Sequence, residues 1–195
     1  MNEGFAGGRR PLGRLTVAIV ATCAGLLACA GTATAQDAEP AEPAVFDVGA
    51  ASVSINPDTP QYISGYGYKG GPTTNVHDPL EVRAFVVSNG TDASAFVVAD
   101  LTGWFSAYQG NLEPYGTTHV REAAAAELNA AGLTAERGSV IVSSTHTHSA
   151  PTTTGIWGKT DPAYMQKLRD AAITAVQEAT DNMKPSDRVS PQFQE

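Results

Sequence analysis

The sequence predicts an α/β domain, a mixed β-sheet with flanking helices. Three observations carry that expectation. Two β-branched apolar runs, 80–88 and 93–101, are separated only by Asn89-Gly90-Thr91-Asp92, and Asn-Gly is the strongest short hairpin signal. Segments 118–131 and 161–183 carry helical patterning instead. Between those helices, 139–144 is again a short apolar strand, so strands and helices alternate after the hairpin.

Taken in order, the first strand spans 45–55, where apolar and small residues alternate until Asn56-Pro57-Asp58 ends it. Residues 61–78 are rich in Gly, Tyr and Thr and follow neither period, which predicts a long surface loop of the kind that carries function. The hairpin strands are nearly continuous apolar runs, predicting burial on both faces. Asn89-Gly90-Thr91 is also a glycosylation sequon, which the turn explains better. Helix 118–131 is rich in Ala, Glu and Leu and is closed by Gly132. Asp161-Pro162 then joins an N-cap residue to a proline in the first turn. From there Tyr164, Leu168, Ala172, Val176 and Ala179 recur on one face to about Met183. Pro185 stops that helix, and 188–193 begins a further strand just before the chain ends at Gln194-Glu195. Residues 45–195 therefore read as an incomplete portion of a larger domain. There are no internal repeats.

Residues 1–35 are set apart. Arg9, Arg10 and Arg14 precede a nearly unbroken apolar stretch, 15–30, and Ala33-Thr34-Ala35 supplies a small-x-small cleavage site. That is the pattern of a secretory signal peptide removed near Ala35, predicting a secreted or cell-envelope protein with no stable membrane span in its mature form. The apolar run is short for an uncleaved anchor, which needs about 20 residues. Arg9-Arg10 fits a twin-arginine signal poorly, because Pro11-Leu12-Gly13 follows it. Leu26-Leu27-Ala28-Cys29 has the shape of a lipoprotein box with Cys29 as the lipidated residue, in competition with the Ala-x-Ala site. Residues 36–44, rich in Pro, Ala and Glu, read as a disordered linker.

Both cysteines, Cys23 and Cys29, fall inside the signal. The mature chain therefore has no disulfide partners and no thiolate ligand, so any metal must be held by nitrogen and oxygen. The whole chain has net charge −8; the first 35 residues hold three Arg against Glu3, leaving −10 for the remainder. An acidic chain without a basic run argues against nucleic acid and against docking on anionic membranes. A lipid substrate would have to be held by apolar surface.

Chemistry concentrates at Thr145-His146-Thr147-His148-Ser149. In an extended segment, residues two apart face the same way, so the two imidazoles would emerge together beyond strand 139–144. Zinc accepts neutral imidazole, and His-x-His on one face is a standard way to offer it. Ser143, Ser144, Thr145, Thr147 and Ser149 would fix the ring tautomers by hydrogen bonds. Spacing alone equally describes ordinary polar residues at a strand exit.

The surrounding residues carry a resemblance. Ser144-Thr145-His146-Thr147-His148-Ser149-Ala150-Pro151 resembles the His-Thr-His-Ser-Gly-Pro signature of the neutral/alkaline (non-lysosomal) ceramidases, with Ala150 in place of the commoner glycine. In the same order along the chain, 49–57 resembles that family's opening strand, and Ile63-Ser64-Gly65-Tyr66 resembles its Met-x-Gly-Tyr. Residues 76–85 resemble its His-x-Pro-Leu-x-x-Arg-Ala segment, and 97–101 its buried Asp-Leu strand. The resemblance covers essentially all of 45–190. It implies a zinc-dependent amide hydrolase that cleaves N-acylsphingosine, a ceramide-like lipid substrate, to sphingosine and a fatty acid. It further implies that His146 ligates Zn2+ and that His148 is catalytic, polarising or orienting the substrate beside the metal. The family's remaining ligands (a second His, a Glu and a Tyr) lie downstream of the signature, beyond the end of this chain. The chain thus reads as the N-terminal part of a ceramidase-like catalytic domain. The alternatives are a truncated relative without catalysis and a zinc hydrolase of another amide or ester.

Other candidates are fewer. His77 precedes a strand and would either reach the site or stabilise a turn. Asp100, at a strand end, is an acceptor near the site or a structural cap, and Arg83 in its strand pairs with an acid. His119 at a helix start reads as a solvated surface residue. Trp104, Phe105, Tyr108 and Trp157 would line an acyl-chain groove or serve as packing.

Overall fold

The computed structural model describes residues 45–67 and 71–186. The signal peptide 1–35, the linker 36–44 and the strand expected at 188–193 lie outside the described residues.

Alternating burial organises the sheet. Strand β1 (Phe46–Ser54) is followed by β2 (Glu81–Ser88), in which Val82, Ala84, Val86 and Ser88 are buried. In β3 (Ala93–Ala99) the buried set is Ala93, Ala95, Val97 and Ala99. Period-two burial means one face of each strand meets the core and the other does not. Helix α1 (Thr117–Ala130) buries Val120, Ala124, Ala125 and Leu128, and leads to β4 (Val140–Ser144). Helix α2 (Pro162–Asp181) and a three-residue strand β5 (Lys184–Ser186) complete the described chain.

The strand order is β4-β3-β2-β1-β5. Pairing is antiparallel except between β3 and β4, which run parallel as the α1 crossover requires. The sheet is mixed and flanked by helices, as the sequence predicts. Both helices pack on one face: α2 lies over β1 and β2 and also meets α1. The core lies between those helices and the inner residues Val82, Val86, Val97 and Val140.

Four details depart from the sequence expectations. The hairpin strands are not buried on both faces: Phe96 is 40% and Ile141 51% exposed on the face away from the helices. Their apolar runs reflect β-propensity on a face left open, with Phe85 and Phe96 ring centroids 6.2 Å apart. Pro185 does not stop α2, which ends at Asp181 with Asn182 as its C-cap; Pro185 lies in β5, an edge strand where its missing N–H costs no ladder bond. The segment 61–78 is anchored rather than wholly superficial, because Gln61 and Ser64 are buried and Gln61 bridges Thr73. Finally, His119 has acidic neighbours: Glu113 at 4.0 Å and Glu122 at 3.7 Å.

Asp161 caps α2 as expected, its Oδ1 accepting from Ala163 N at 3.0 Å. Its Oδ2 accepts from Gln61 Nε2 at 3.0 Å, which ties the anchored segment to the helix start. Among the described residues no helix is long and apolar enough to cross a membrane.

One buried group in α2 yields an expected result. The Tyr164 hydroxyl is buried with no hydrogen-bond partner, and burial pushes its pKa well above the ordinary phenol value. A buried donor without a partner carries its full desolvation cost, so removing it relieves that cost. Tyr164→Phe should leave stability unchanged or raise it by about 1 kcal/mol in urea unfolding. A loss larger than that would mean the hydroxyl has a partner in solution.

Candidate functional site

Strand β4 delivers the histidines. Its last residue, Ser144, pairs with Ala99 at the end of β3, and Thr145 N still donates to Ala99 O at 3.0 Å. One residue later the extended backbone stops. His146 has φ +63°, the one positive φ outside glycine among the described residues. The left-handed region disfavours a residue with a Cβ, so something must hold it there. That anchor is the Thr102 carbonyl oxygen, 2.6 Å from His146 Nδ1.

This contact decides the protonation pattern of the ring. A carbonyl oxygen only accepts, so Nδ1 is the N–H and donates; in the neutral ring Nε2 is left with its lone pair free. His148 Nε2 stands 3.4 Å from His146 Nε2, and the rings meet edge-on with centroids 4.9 Å apart. Two imidazole nitrogens bound to one tetrahedral zinc, each at about 2.0–2.1 Å, stand roughly 3.3 Å apart. The donor pair therefore has the separation of two neighbouring positions on one metal ion. Among the described residues, no group of three or more His, Cys, Asp or Glu is placed to hold a metal.

Neighbouring segments fix His148. Tyr66 meets its ring edge-on at 5.3 Å. Gly65, at φ +103°, lies so close that a Cβ there would sit 2.3 Å from His148 Cγ. Ser64 N donates to Ala150 O at 3.0 Å, and Ile63 bridges Pro151, so 63–66 runs along the histidine loop. Thr102 closes the arrangement from below: its Oγ1 donates to Thr147 O at 2.7 Å and shares a hydrogen bond with Ser64 Oγ. A cleft of 590 Å³ opens beside His148, with Ile63, Tyr66, Val76, His77 and Leu80 in its walls. That volume is in the range of small-molecule sites.

The structure brings His146 and His148 together, but not by the route the sequence suggests. Extended alternation fails at the left-handed kink, and the rings meet because the kink turns one toward the other. The ring partner is also different: the Thr102 carbonyl takes the part assigned to Ser143, Ser144, Thr145, Thr147 and Ser149. Sequence reasoning missed Thr102, since only the packing of the β3 and β4 ends makes it adjacent. His77 is 97% exposed on its side chain, pairs with Asp78 at 3.1 Å, and shares the cleft with His148. Asp100 is a structural cap, its Oδ2 accepting from Glu81 N at 3.1 Å while Arg83 Nη1 donates to it at 3.1 Å. The hydrogen bond to Asp100 raises the Arg83 pKa above its ordinary value. Trp104 donates from Nε1 to Tyr115 O at 2.8 Å, and Phe105 packs on Tyr108; neither pair, nor Trp157, lies in the wall of the cleft at His148.

The fold and site define an α/β layer that presents a histidine pair just beyond the carboxyl end of its parallel edge strand. That architecture matches solved ceramidases. The crystal structure of neutral ceramidase from Pseudomonas aeruginosa superposes with a TM-score of 0.56 at 19% identity, covering 74% of this chain and 23% of that one. A structure of ceramidase complexed with C2 gives 0.53 at 19% identity, covering 72% of this chain and 22% of that one. No family model matches the sequence, and no curated protein matches it. The fold is thus ceramidase-like, and the chain spans less than a quarter of the length of the ceramidases it matches.

Proposed function

We propose that this chain carries part of the active site of a zinc-dependent amide hydrolase acting on a ceramide-like lipid. The observation that carries the reading is the pair of Nε2 atoms 3.4 Å apart, one of them with its proton fixed on Nδ1 by Thr102. That arrangement suits a divalent metal that prefers neutral nitrogen donors. His146 is the ligand whose orientation is locked. His148 either completes the pair or turns its Nε2 to the substrate carbonyl. When bound, zinc supplies a hydroxide at neutral pH and polarises the amide carbonyl.

The chain's own residues do the rest of what is proposed here. Thr102 holds the His146 tautomer, and Gly65 and Tyr66 hold the His148 ring. The apolar walls of the cleft, with Ile63, Val76 and Leu80, would take up an acyl chain without needing charge. A catalytic zinc usually has three protein ligands, so further donors are expected from outside the described residues.

Titration with Zn2+ tests the reading. The expected result is one saturable site, weakened at least about tenfold in His146→Ala, as loss of a ligand or its support does elsewhere. No saturable zinc, or equal affinity in the variant, would remove the metal from this reading. With zinc present, hydrolysis of N-acylsphingosine against short amides and esters separates a ceramide hydrolase from a hydrolase of other substrates.

A further inference from the structure

A second pocket, with no lining residue in common with the cleft at His148, lies where the 152–160 loop meets the 3-10 turn Gly110–Tyr115. The loop reads Thr152-Thr153-Thr154-Gly155-Ile156-Trp157-Gly158-Lys159-Thr160, four threonines and a lysine with no carboxylate. The pocket measures 400 Å³, and its polar lining is Tyr108, Asn111, Thr153, Thr154, Lys159 and Thr160. Each of these can donate a hydrogen bond, and the one charge is positive.

Two of the donors lack partners. The hydroxyls of Thr154 and Thr160 are buried without a hydrogen bond, and Thr160 is only 8% exposed. A native fold rarely leaves such groups unpaired, so an unfilled pair in one pocket points to something that binds there. The loop is also held in place rather than loose. Thr152 N donates to Tyr62 O at 2.7 Å, Thr153 Oγ1 donates to Gly103 O, and Gly158 lies flat on the Tyr62 ring. A Cβ at Gly158 would come 2.3 Å from Tyr62 Cγ. The nearest carboxylate in sequence, Asp161, turns away: both its oxygens are taken up by Ala163 N, Gln61 and Thr59.

We propose that this pocket binds a phosphate-type oxyanion through the Thr154 and Thr160 hydroxyls and the Lys159 ammonium. A hard cation would need oxygen acceptors, typically carboxylates, and the lining has none. Gly158-Lys159-Thr160 shares its composition with phosphate-binding loops but not their spacing, since Gly155 stands three residues before Gly158. The side chains rather than a helix N-terminus therefore supply the donors. The group would be free phosphate or the phosphate of a monoester.

Calorimetric titration with inorganic phosphate, at ionic strength held constant with chloride, is the test. Saturable binding is expected, weakened about tenfold or more in Lys159→Ala, a substitution at an exposed position that spares the core. Thr160→Val should also weaken it, while Thr160→Ser should restore it. Glycerol 3-phosphate binding more tightly than inorganic phosphate would identify a monoester as the ligand, and equal or weaker binding would identify free phosphate. No saturable phosphate binding, or less than a threefold change in Lys159→Ala, would overturn the proposal. Zinc affinity at His146 plays no part in these readouts, so the two proposals stand or fall separately.

Discussion

Gly65→Ala is expected to abolish productive pairing of His146 and His148 while leaving the protein folded. Gly65 sits at φ +103°, where a residue with a Cβ is strained whatever room it finds. Here there is no room either: the added carbon would lie 2.3 Å from Cγ, 2.4 Å from Cβ and 2.5 Å from Nδ1 of His148. Either the backbone leaves its conformation or the imidazole moves by about an ångström. A shift of that size at a reacting centre costs about a hundredfold in rate. The proposed zinc site should lose about ten- to a hundredfold in affinity, the range seen when a ligand's support is removed. Gly65 lies in a half-buried loop outside the sheet, so the melting temperature should fall by only a few degrees. Zinc titration and thermal unfolding on the same sample check both halves. Wild-type zinc affinity in Gly65→Ala would mean that the position of His148 does not matter to the site.

The largest expected loss of stability lies elsewhere, at Gly49. This residue is buried in β1, directly under the C-terminal turn of α2. A Cβ there would stand 1.9 Å from Ala179 O and 2.9 Å from Met183 N, both backbone atoms that cannot rotate away. Gly49→Val must therefore lift the helix end off the sheet, opening contacts around Ala179. Overpacking typically costs about 1–3 kcal/mol and more where backbone must move, so about 3 kcal/mol or more is expected. At this chain length that corresponds to a fall of roughly 6–12 °C in melting temperature. Urea unfolding measures it, and a loss under about 1 kcal/mol would mean that α2 does not seat on β1 at this point.

These two glycines show where sequence reasoning reaches and where it stops. Local chemistry was legible. Asn89-Gly90 does turn the hairpin, with Asn89 Oδ1 accepting from Thr91 N and Asp92 N, and Asp161 does cap α2. The face Tyr164, Leu168, Ala172, Val176 and Ala179 is buried throughout. Each of these is decided within a few residues of chain. The site was legible as two histidines in the right order, because their residue types alone suit zinc. What was not legible depends on distant parts of the chain meeting. The Thr102 carbonyl reaches His146 only after β3 and β4 pair in parallel, and the left-handed turn at His146 leaves no trace in side-chain pattern. The open face of the sheet was misread for a related reason: apolar β-branched runs look the same whether one side or both are covered.

The position of β5 governs how this sheet is assembled. Phe46, in the first strand, pairs with Ser186, in the last described one, while β2, β3 and β4 grow from the other edge of β1. The hairpin β2–β3 and the β1–β2 pairing close over shorter stretches of chain and can form as soon as those segments exist. One side of β1 must wait until α2 has crossed back over the sheet, so its last ladder closes the longest loop in the described fold. Such long-range closure slows folding, because chain entropy is lost before the contact repays it. While the chain emerges from the ribosome, the edge of β1 is accordingly the last to be sealed, and it is the natural place for a chaperone to stand guard.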